Sequence, residues 1–266
     1  MNTILTPVVI VGIIAVILGL GLAFAAKVFA VPVNEKVERI RECLPGANCG
    51  ACGFSGCDGY ADALANGKTK ETNLCGPGGK EAAIKISTIM GTKAEPIKGM
   101  VAVVLCQGNH RNVKTKINYI GASNCKMATQ LFGGPRDCTY GCLGFGDCVK
   151  ACPYEAIFIC DGVARINPKK CRACKKCISI CPRGLIELFP VEELHAAVFC
   201  KNSDKGQITR KACAQGCIAC TKCVKICEAG AISIDNNKAK VDRNICIGCG
   251  KCVEQCPTGA INLITL

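Results

Sequence analysis

The cysteines near the end of the chain are spaced like the ligands of an iron–sulfur cluster. The run from Cys246 to Pro257 reads C-x2-C-x2-C-x3-C-P, the spacing with which bacterial ferredoxins hold [4Fe–4S] clusters. The first three thiolates of such a run bind one cluster, and the fourth, next to the proline, binds the neighbouring cluster. A single C-x2-C pair also suits zinc or thiol redox chemistry, so the full run is far more specific. The chemistry it predicts is the relay of single electrons.

The same run recurs along the chain. Residues 171–182 repeat it in full, and residues 217–228 repeat it with Glu228 in place of the proline. Residues 138–153 form a fourth, incomplete copy, in which Phe145 occupies the position of the middle cysteine. Two pairs of runs therefore predict two tandem two-cluster ferredoxin-like modules, an internal repeat.

The crossing of the fourth cysteine predicts which residues share a cluster. Phe145 leaves the first set one cysteine short; Cys138 is the candidate that replaces it, and the fourth ligand of that set stays open. The four predicted metal-binding sets are Cys138, Cys142, Cys148 and Cys181; Cys152, Cys171, Cys174 and Cys177; Cys217, Cys220, Cys223 and Cys256; and Cys227, Cys246, Cys249 and Cys252.

A further cysteine motif lies closer to the start of the chain. Cys49, Cys52, Cys57 and Cys75 follow the spacing C-x2-C-x4-C-x17-C, with glycines between them that let the backbone turn N–H groups inward. Four thiolates also suit structural zinc. Because the rest of the chain has iron–sulfur spacing, we interpret this motif as a fifth [4Fe–4S] site.

Six of the 26 cysteines remain outside these five sets. Cys43 lies beside the apolar face of a predicted helix and Cys160 lies in a predicted strand, so both are interpreted as non-ligands. The other four are enough for a sixth cluster between the modules, and the alternative is that they are buried structural thiols. This candidate sixth set is Cys106, Cys125, Cys200 and Cys213.

Composition limits the other functions. The chain has 266 residues, a formal charge of +13 and only 5% aromatic residues. Five clusters at roughly −2 each would bring the net charge close to zero, so the lysines are counter-charge and nucleic-acid binding is not expected. Disulfides do not suit these ligand spacings in a reducing compartment. No dinucleotide or Walker motif and no catalytic triad is present, so we expect no small-molecule substrate site in this chain.

The first residues predict a membrane anchor. Ile4 to Ala26 carry no charge, and 23 residues at about 1.5 Å each span a bilayer core of about 30 Å. A cleaved secretory signal is the alternative, but a signal would have a basic segment before its apolar one. Lys27, Lys36 and Arg39 follow the apolar stretch, so the positive-inside rule predicts that the cluster domains face the cytoplasm.

These features together predict an α+β protein built of small iron–sulfur modules. A transmembrane helix precedes one four-cysteine cluster domain and the two ferredoxin-like modules. Strands are expected at 101–106 and 196–200, and each module is expected to end in a short strand, at 185–188 or 261–264. Each module is also expected to contain a strand pair: 157–160 and 163–166, joined by the hairpin signal Asp161-Gly162, and 231–234 and 239–241. A helix-like stretch is expected at 192–195, ending at His195. The predicted divisions are 1–30 for the anchor, 31–91 for the N-terminal cluster domain, 92–135 for a linker with a strand, 136–190 for the first module, 191–212 for a second linker with a strand, and 213–266 for the second module.

The order of parts resembles the B subunit of the Rnf membrane complex. The most specific likeness is Leu-Pro-Gly-Ala-Asn-Cys-Gly-Ala-Cys-Gly-Phe-Ser-Gly-Cys-Asp-Gly-Tyr, at residues 44–60. The resemblance implies a translocase, a ferredoxin:NAD⁺ oxidoreductase coupled to transport of Na⁺ or H⁺. It also implies that this chain takes electrons from soluble ferredoxin and passes them to membrane partners. The alternative is a membrane-tethered polyferredoxin serving a hydrogenase or another reductase, which gives no reason for the Cys49–Cys75 motif.

Overall fold

The first helix stands apart from the cluster domains. The computed structural model describes residues 2–28, 34–93 and 99–264; residues 94–98 of the predicted linker and residues 29–33 after the predicted span lie outside these ranges. Helix α1 runs from Asn2 to Val28 and contains the predicted span. Its segment Val8–Val28 has a mean hydropathy of 3.0, and none of it is buried against the rest of the described chain.

Three helices form the N-terminal cluster domain. They are α2 (Glu35–Glu42), α3 (Cys57–Ala65) and α4 (Gly79–Met90). Ile40, Tyr60, Leu64 and Ile86 are fully buried between them. Gly91 ends α4 in the left-handed conformation at φ 67°, which a residue without a Cβ adopts at little cost.

Each ferredoxin module has the same layout, which confirms the predicted repeat of strands. An opening strand pairs antiparallel with the closing strand, and a hairpin lies between them. The first module consists of β1 (Met100–Val104), α5 (Cys125–Gln130), α6 (Asp147–Lys150), β2 (Ile157–Cys160), β3 (Val163–Ile166), α7 (Lys176–Ile180) and β4 (Ile186–Pro190). The second consists of β5 (His195–Val198), α8 (Gly206–Ala212), α9 (Lys222–Ile226), β6 (Ile232–Asp235), β7 (Lys238–Val241), α10 (Lys251–Glu254) and β8 (Ile261–Ile264).

The two hairpins turn as their sequences predict. Asp161 and Gly162 join β2 to β3 with φ values of 47° and 77°. Asn236 and Asn237 join β6 to β7 with φ values of 48° and 56°. Positive φ at both central residues is the requirement of the turn that matches strand twist, and Asp-Gly and Asn pairs tolerate it.

The prediction of a helix before His195 is wrong. His195 is the first residue of β5 and lies opposite Ile264 of β8. Its side chain is buried, and its Nε2 atom lies 3.0 Å from a carboxylate oxygen of Glu193. Pairing with the closing strand decides the conformation here, because tertiary contacts override the local propensity of a short charged stretch.

The two modules pack directly against each other. Phe189 of the first module lies in one buried cluster with Ala197 and Ile264 of the second. The Arg243 guanidinium lies 3.8 Å from the centre of the Phe189 ring and donates a 2.8 Å hydrogen bond to the carbonyl of Leu188. This contact fixes the positions of the cysteines on either side of the module boundary.

Candidate metal centres

The backbone of all four ferredoxin runs wraps around the position of the middle cysteine. The residues before and after Cys174 (Ala173 and Lys175), and those before and after Cys220, have positive φ, although none is glycine. Glycines fill the equivalent places around Cys249 and around Phe145. Left-handed backbone is costly for residues with a Cβ. Its recurrence shows that the loop conformation is the same even where the cysteine is missing.

Three of the predicted sets each line a pocket with all four of their cysteines. In each case the four sulfur-bearing residues face the same space between a cysteine loop and its neighbouring strands or helices. The three sets are Cys49, Cys52, Cys57 and Cys75; Cys152, Cys171, Cys174 and Cys177; and Cys227, Cys246, Cys249 and Cys252.

The fourth predicted set also converges, in the second module. Burial raises the pKa of the Cys223 thiol to about 11, and the neighbouring thiolates of Cys217, Cys220 and Cys256 raise it too. Backbone N–H groups point at the sulfur atoms: Ala239 donates to Cys217 at 3.3 Å and Ala260 donates to Cys256 at 3.2 Å. Such N–H···S bonds stabilise thiolates and tune cluster potential.

The first module brings a cysteine from outside its predicted set close to that set. Cys142 and Cys181 lie near Cys148, and so does Cys125. Cys138 lies instead in a buried cluster with Val113 and Cys213, on the side that faces the second module. The sequence assigned Cys138 because it precedes Cys142 closely, whereas the fold brings Cys125 in on α5.

Buried thiols in these sets suit ligands that lose a proton on binding. Burial raises the pKa of Cys148 to about 12 and that of Cys177 to about 12, and the surrounding thiolates add to both shifts. Without a metal these thiols are neutral at pH 7, and iron must displace their protons. A cationic metal supplies the charge that makes buried thiolates stable.

The spacing of the sulfur atoms argues against single ions. Within the described ranges, no group of three or more His, Cys, Asp or Glu side chains is gathered tightly enough to hold one metal ion. Four sulfurs around one zinc would each be about 2.3 Å from it. No set in the described ranges is therefore gathered as a four-sulfur zinc site would be, which favours the four-iron interpretation over the zinc alternative.

Comparison with known proteins supports iron–sulfur domains in all three parts. Residues 44–77 match the family described as a putative Fe–S cluster. Residues 164–187 match a 4Fe–4S binding domain, and residues 216–261 match a 4Fe–4S dicluster domain. These matches cover the N-terminal motif and both modules.

Full-length relatives decide the family. The chain is 44% identical to the B subunit of the Na⁺-translocating ferredoxin:NAD⁺ oxidoreductase complex of Acetobacterium woodii, over 91% of this chain and 72% of that protein. It is 40% identical to the B subunit of the proton-translocating ferredoxin:NAD⁺ oxidoreductase complex of Clostridium ljungdahlii, over 92% and 86%. It is 38% identical to the B subunit of the ion-translocating oxidoreductase complex of Methanosarcina acetivorans, over 88% and 91%.

The chain belongs to the Rnf B-subunit family. The resemblance stated from the sequence is thereby confirmed, and the relation covers nearly the whole chain. Members of the family are electron-transfer subunits of ion-translocating ferredoxin:NAD⁺ oxidoreductases, which are membrane-associated complexes of several subunits. Nothing about the polyferredoxin alternative accounts for these relatives or for the match over residues 44–77.

In this member of the Rnf B-subunit family the N-terminal cluster domain docks on the first module. The Lys175 ammonium donates a 2.9 Å hydrogen bond to the carbonyl of Ala51. A side-chain carbon at Gly76 would stand 3.7 Å from the Cβ of Ala173. Burial raises the pKa of the Cys174 thiol, and the nearby Cys49 thiolate raises it further. The N-terminal set is therefore a direct neighbour of the Cys152–Cys177 set.

The opposite end of this Rnf chain is open to solvent. Cys249 is exposed, whereas Cys174, its equivalent in the first module, is only 8% exposed. Ile247, two residues before Cys249, is 67% exposed. The cysteine sets thus extend from a covered end beside the N-terminal domain to an accessible end in the second module.

Proposed function

We propose that this protein conducts electrons from soluble reduced ferredoxin to the membrane-bound subunits of its complex. The observation that carries the proposal is the arrangement of the cysteine sets between an exposed end and an end beside the anchored domain. When bound, [4Fe–4S] clusters accept and release single electrons. The protein holds the clusters close together, excludes water and directs N–H groups at the sulfurs.

The exposed end is the place where a soluble donor reaches this chain. Lys222 and Lys225 are exposed on α9, and Lys251 on α10 forms an ion pair with Glu228. Positive charge of this kind increases the rate of encounter with an acidic donor, and added salt weakens that effect. Reduction by ferredoxin is accordingly expected to slow as ionic strength rises.

Helix α1 is proposed as the membrane anchor. Leu18, Leu22 and Phe24 are 61%, 72% and 72% exposed, and a helix that is apolar all round requires an apolar environment. Lys27 at its end and the basic residues of α2 favour a cytoplasmic position for the cluster domains.

Retention of this anchor is a testable prediction. We expect mass spectrometry of the protein from membranes to show the first 30 residues still present, and added protease to leave the cluster domains intact in sealed cells. A mature N-terminus near Ala26, or digestion of the cluster domains from outside the cell, would show that the segment is a cleaved signal.

Iron content tests the proposed function. At four irons per cluster, the five predicted sets require at least about twenty irons per chain in anaerobically purified protein, with a matching amount of acid-labile sulfide. The brown absorbance of these clusters should bleach when reduced ferredoxin is added. A value near eight irons, or no bleaching by ferredoxin, would contradict the multi-cluster assignment.

A further inference from the structure

Four buried cysteines from the two modules converge where the modules meet. Cys106 and Cys138 come from the first module and Cys200 and Cys213 from the second, and none is more than 9% exposed. We propose that these four thiols hold a sixth [4Fe–4S] cluster that bridges the modules, and that Cys125 completes the first-module set. The inference rests on the proposed electron-transfer function and names the site that makes its path continuous.

The contacts bring the four sulfurs around one point. The backbone at Gly141 lies beside two of the sulfurs. A Cβ added there would be 3.5 Å from the Cys138 sulfur and 3.7 Å from the Cys106 sulfur. Cys138 and Cys213 share one buried cluster. Asn202, which is 1% exposed and lies two residues after Cys200, places its side-chain amide 3.9 Å from the Cys138 sulfur.

The two modules contribute equivalent halves of the site. The Cys106 sulfur accepts the backbone N–H of Gly108 at 3.3 Å and that of Cys142 at 3.4 Å. In the second module burial raises the pKa of the Cys200 thiol, and the backbone N–H groups of Cys217 and Asn202, the counterparts of those of Cys142 and Gly108, lower it. The two copies thus surround their cysteines in the same way.

The donor set is chemically suited to an iron–sulfur cluster. Burial raises the pKa of Cys106 to about 11 and that of Cys213 to about 12, and the nearby thiolates, Cys138 among them, raise both further. A cluster cation core lets all four lose their protons at once.

Cys125 occupies the place that the missing middle cysteine leaves. Gly144 and Gly146 give the loop around Phe145 the same positive φ as in the complete runs. Burial raises the pKa of the Cys125 thiol, and the backbone N–H groups of Asp147 and Phe145 lower it. The N-terminus of α5 is held there by a 2.9 Å hydrogen bond from the Cys125 N–H to Asp147. The sulfur thus comes from α5 rather than from the loop itself.

The bridging site contacts a neighbouring set on each side. The backbone N–H of Cys142, of the first-module set, donates to the Cys106 sulfur. Cys217, of the second-module set, lies in one buried cluster with Cys200. One electron taken from reduced ferredoxin at the exposed end can therefore pass singly from set to set, and no bond is made or broken. Without this site, no cluster would lie between the cysteine sets of the two modules.

The first test counts iron in the full-length protein. We expect about 24 irons per chain, four for each of six clusters. Replacing one cysteine from each module, Cys106→Ala with Cys213→Ala, should remove about four irons and leave the rest. Cys160→Ala is the matched control, because Cys160 is exposed and outside every set. About twenty irons in the wild type and no loss in the double variant would overturn the inference while leaving the proposed function intact.

The second test distinguishes Cys125 from Cys138 by rescue. Phe145→Cys restores the complete ferredoxin run in a loop that already has the required backbone. We expect Phe145→Cys to recover the irons, and the electron paramagnetic resonance signal, that are lost in Cys125→Ala. It should not recover those lost in Cys138→Ala. Rescue of Cys138→Ala and not of Cys125→Ala would return Cys138 to the first-module set and disprove the bridging site.

Discussion

Removing the iron and sulfide from the full-length protein is expected to unfold its cluster domains. Each module has only two-stranded sheets, which are marginal on their own. The buried core of the second module consists of small aliphatic residues and cysteines, with Ile232 and Ile261 the largest. Such a core supplies little stabilisation by burial of apolar surface alone.

The magnitudes support complete unfolding. A structural metal contributes about 10–16 kcal/mol in small metal-dependent domains, while a whole domain is stable by about 5–15 kcal/mol. Losing the clusters therefore removes more free energy than the modules have. The apo chain should lose its strand signal in circular dichroism and become sensitive to protease.

Anaerobic reconstitution provides the control for this prediction. Adding iron and sulfide back should restore protease resistance together with the brown absorbance. An apo chain that keeps the same protease-resistant fragments and circular dichroism as the holo protein would show that the cores suffice without clusters.

Breaking the N-terminal set is expected to stop turnover of the complex. Cys52 lines the pocket of that set, next to Cys49, Cys57 and Cys75. In Cys52→Ala, ferredoxin-driven reduction of NAD⁺ should fall by more than about 100-fold. Loss of a group that only hydrogen-bonds a metal ligand already costs about 10–100-fold, and this change removes a ligand itself.

The reason for so large an effect is position. This set lies in the domain that follows α1, the proposed anchor. Helix α2, of eight residues, lies between α1 and the set in the sequence. Every other set lies beyond it, toward the exposed end. Cys43→Ala is the matched control in the same domain. The Cys43 thiol donates a 3.3 Å hydrogen bond to the carbonyl of Arg39, and Cys43 does not line the pocket of the set. Its turnover should match that of the wild type.

Much of the architecture was predictable because ligand spacing and turn chemistry are local. The complete runs, the Cys49–Cys75 motif and the Asp161-Gly162 hairpin all depend on residues close together in the sequence. The opening and closing strands of each module were also visible in the sequence as short apolar runs. His195 was misassigned because its conformation depends on a partner, Ile264, far along the chain.

The grouping of the remaining cysteines was not predictable by the same reasoning. Cys138 and Cys142 are close in sequence, but Cys138 packs with Val113 and Cys213, so we assign the two cysteines to different sets. We assign Cys125 to the first-module set because its N–H donates to Asp147 at the start of α6. Cys106 and Cys200 were grouped only by elimination, since their relation depends on how the two modules pack, which no local spacing encodes.

The most direct test of the electron path compares its two ends in the intact complex. The measurement is the rate at which reduced ferredoxin bleaches the clusters in Cys249→Ala and in Cys52→Ala, with the set of co-purifying subunits checked in both. We predict that Cys52→Ala bleaches its remaining clusters at the wild-type rate. Cys249→Ala, which lacks one of the two exposed ligands of the second module, Cys220 being the other, should bleach more slowly than the wild type. Slow bleaching in Cys52→Ala together with wild-type bleaching in Cys249→Ala would show that electrons enter at the opposite end.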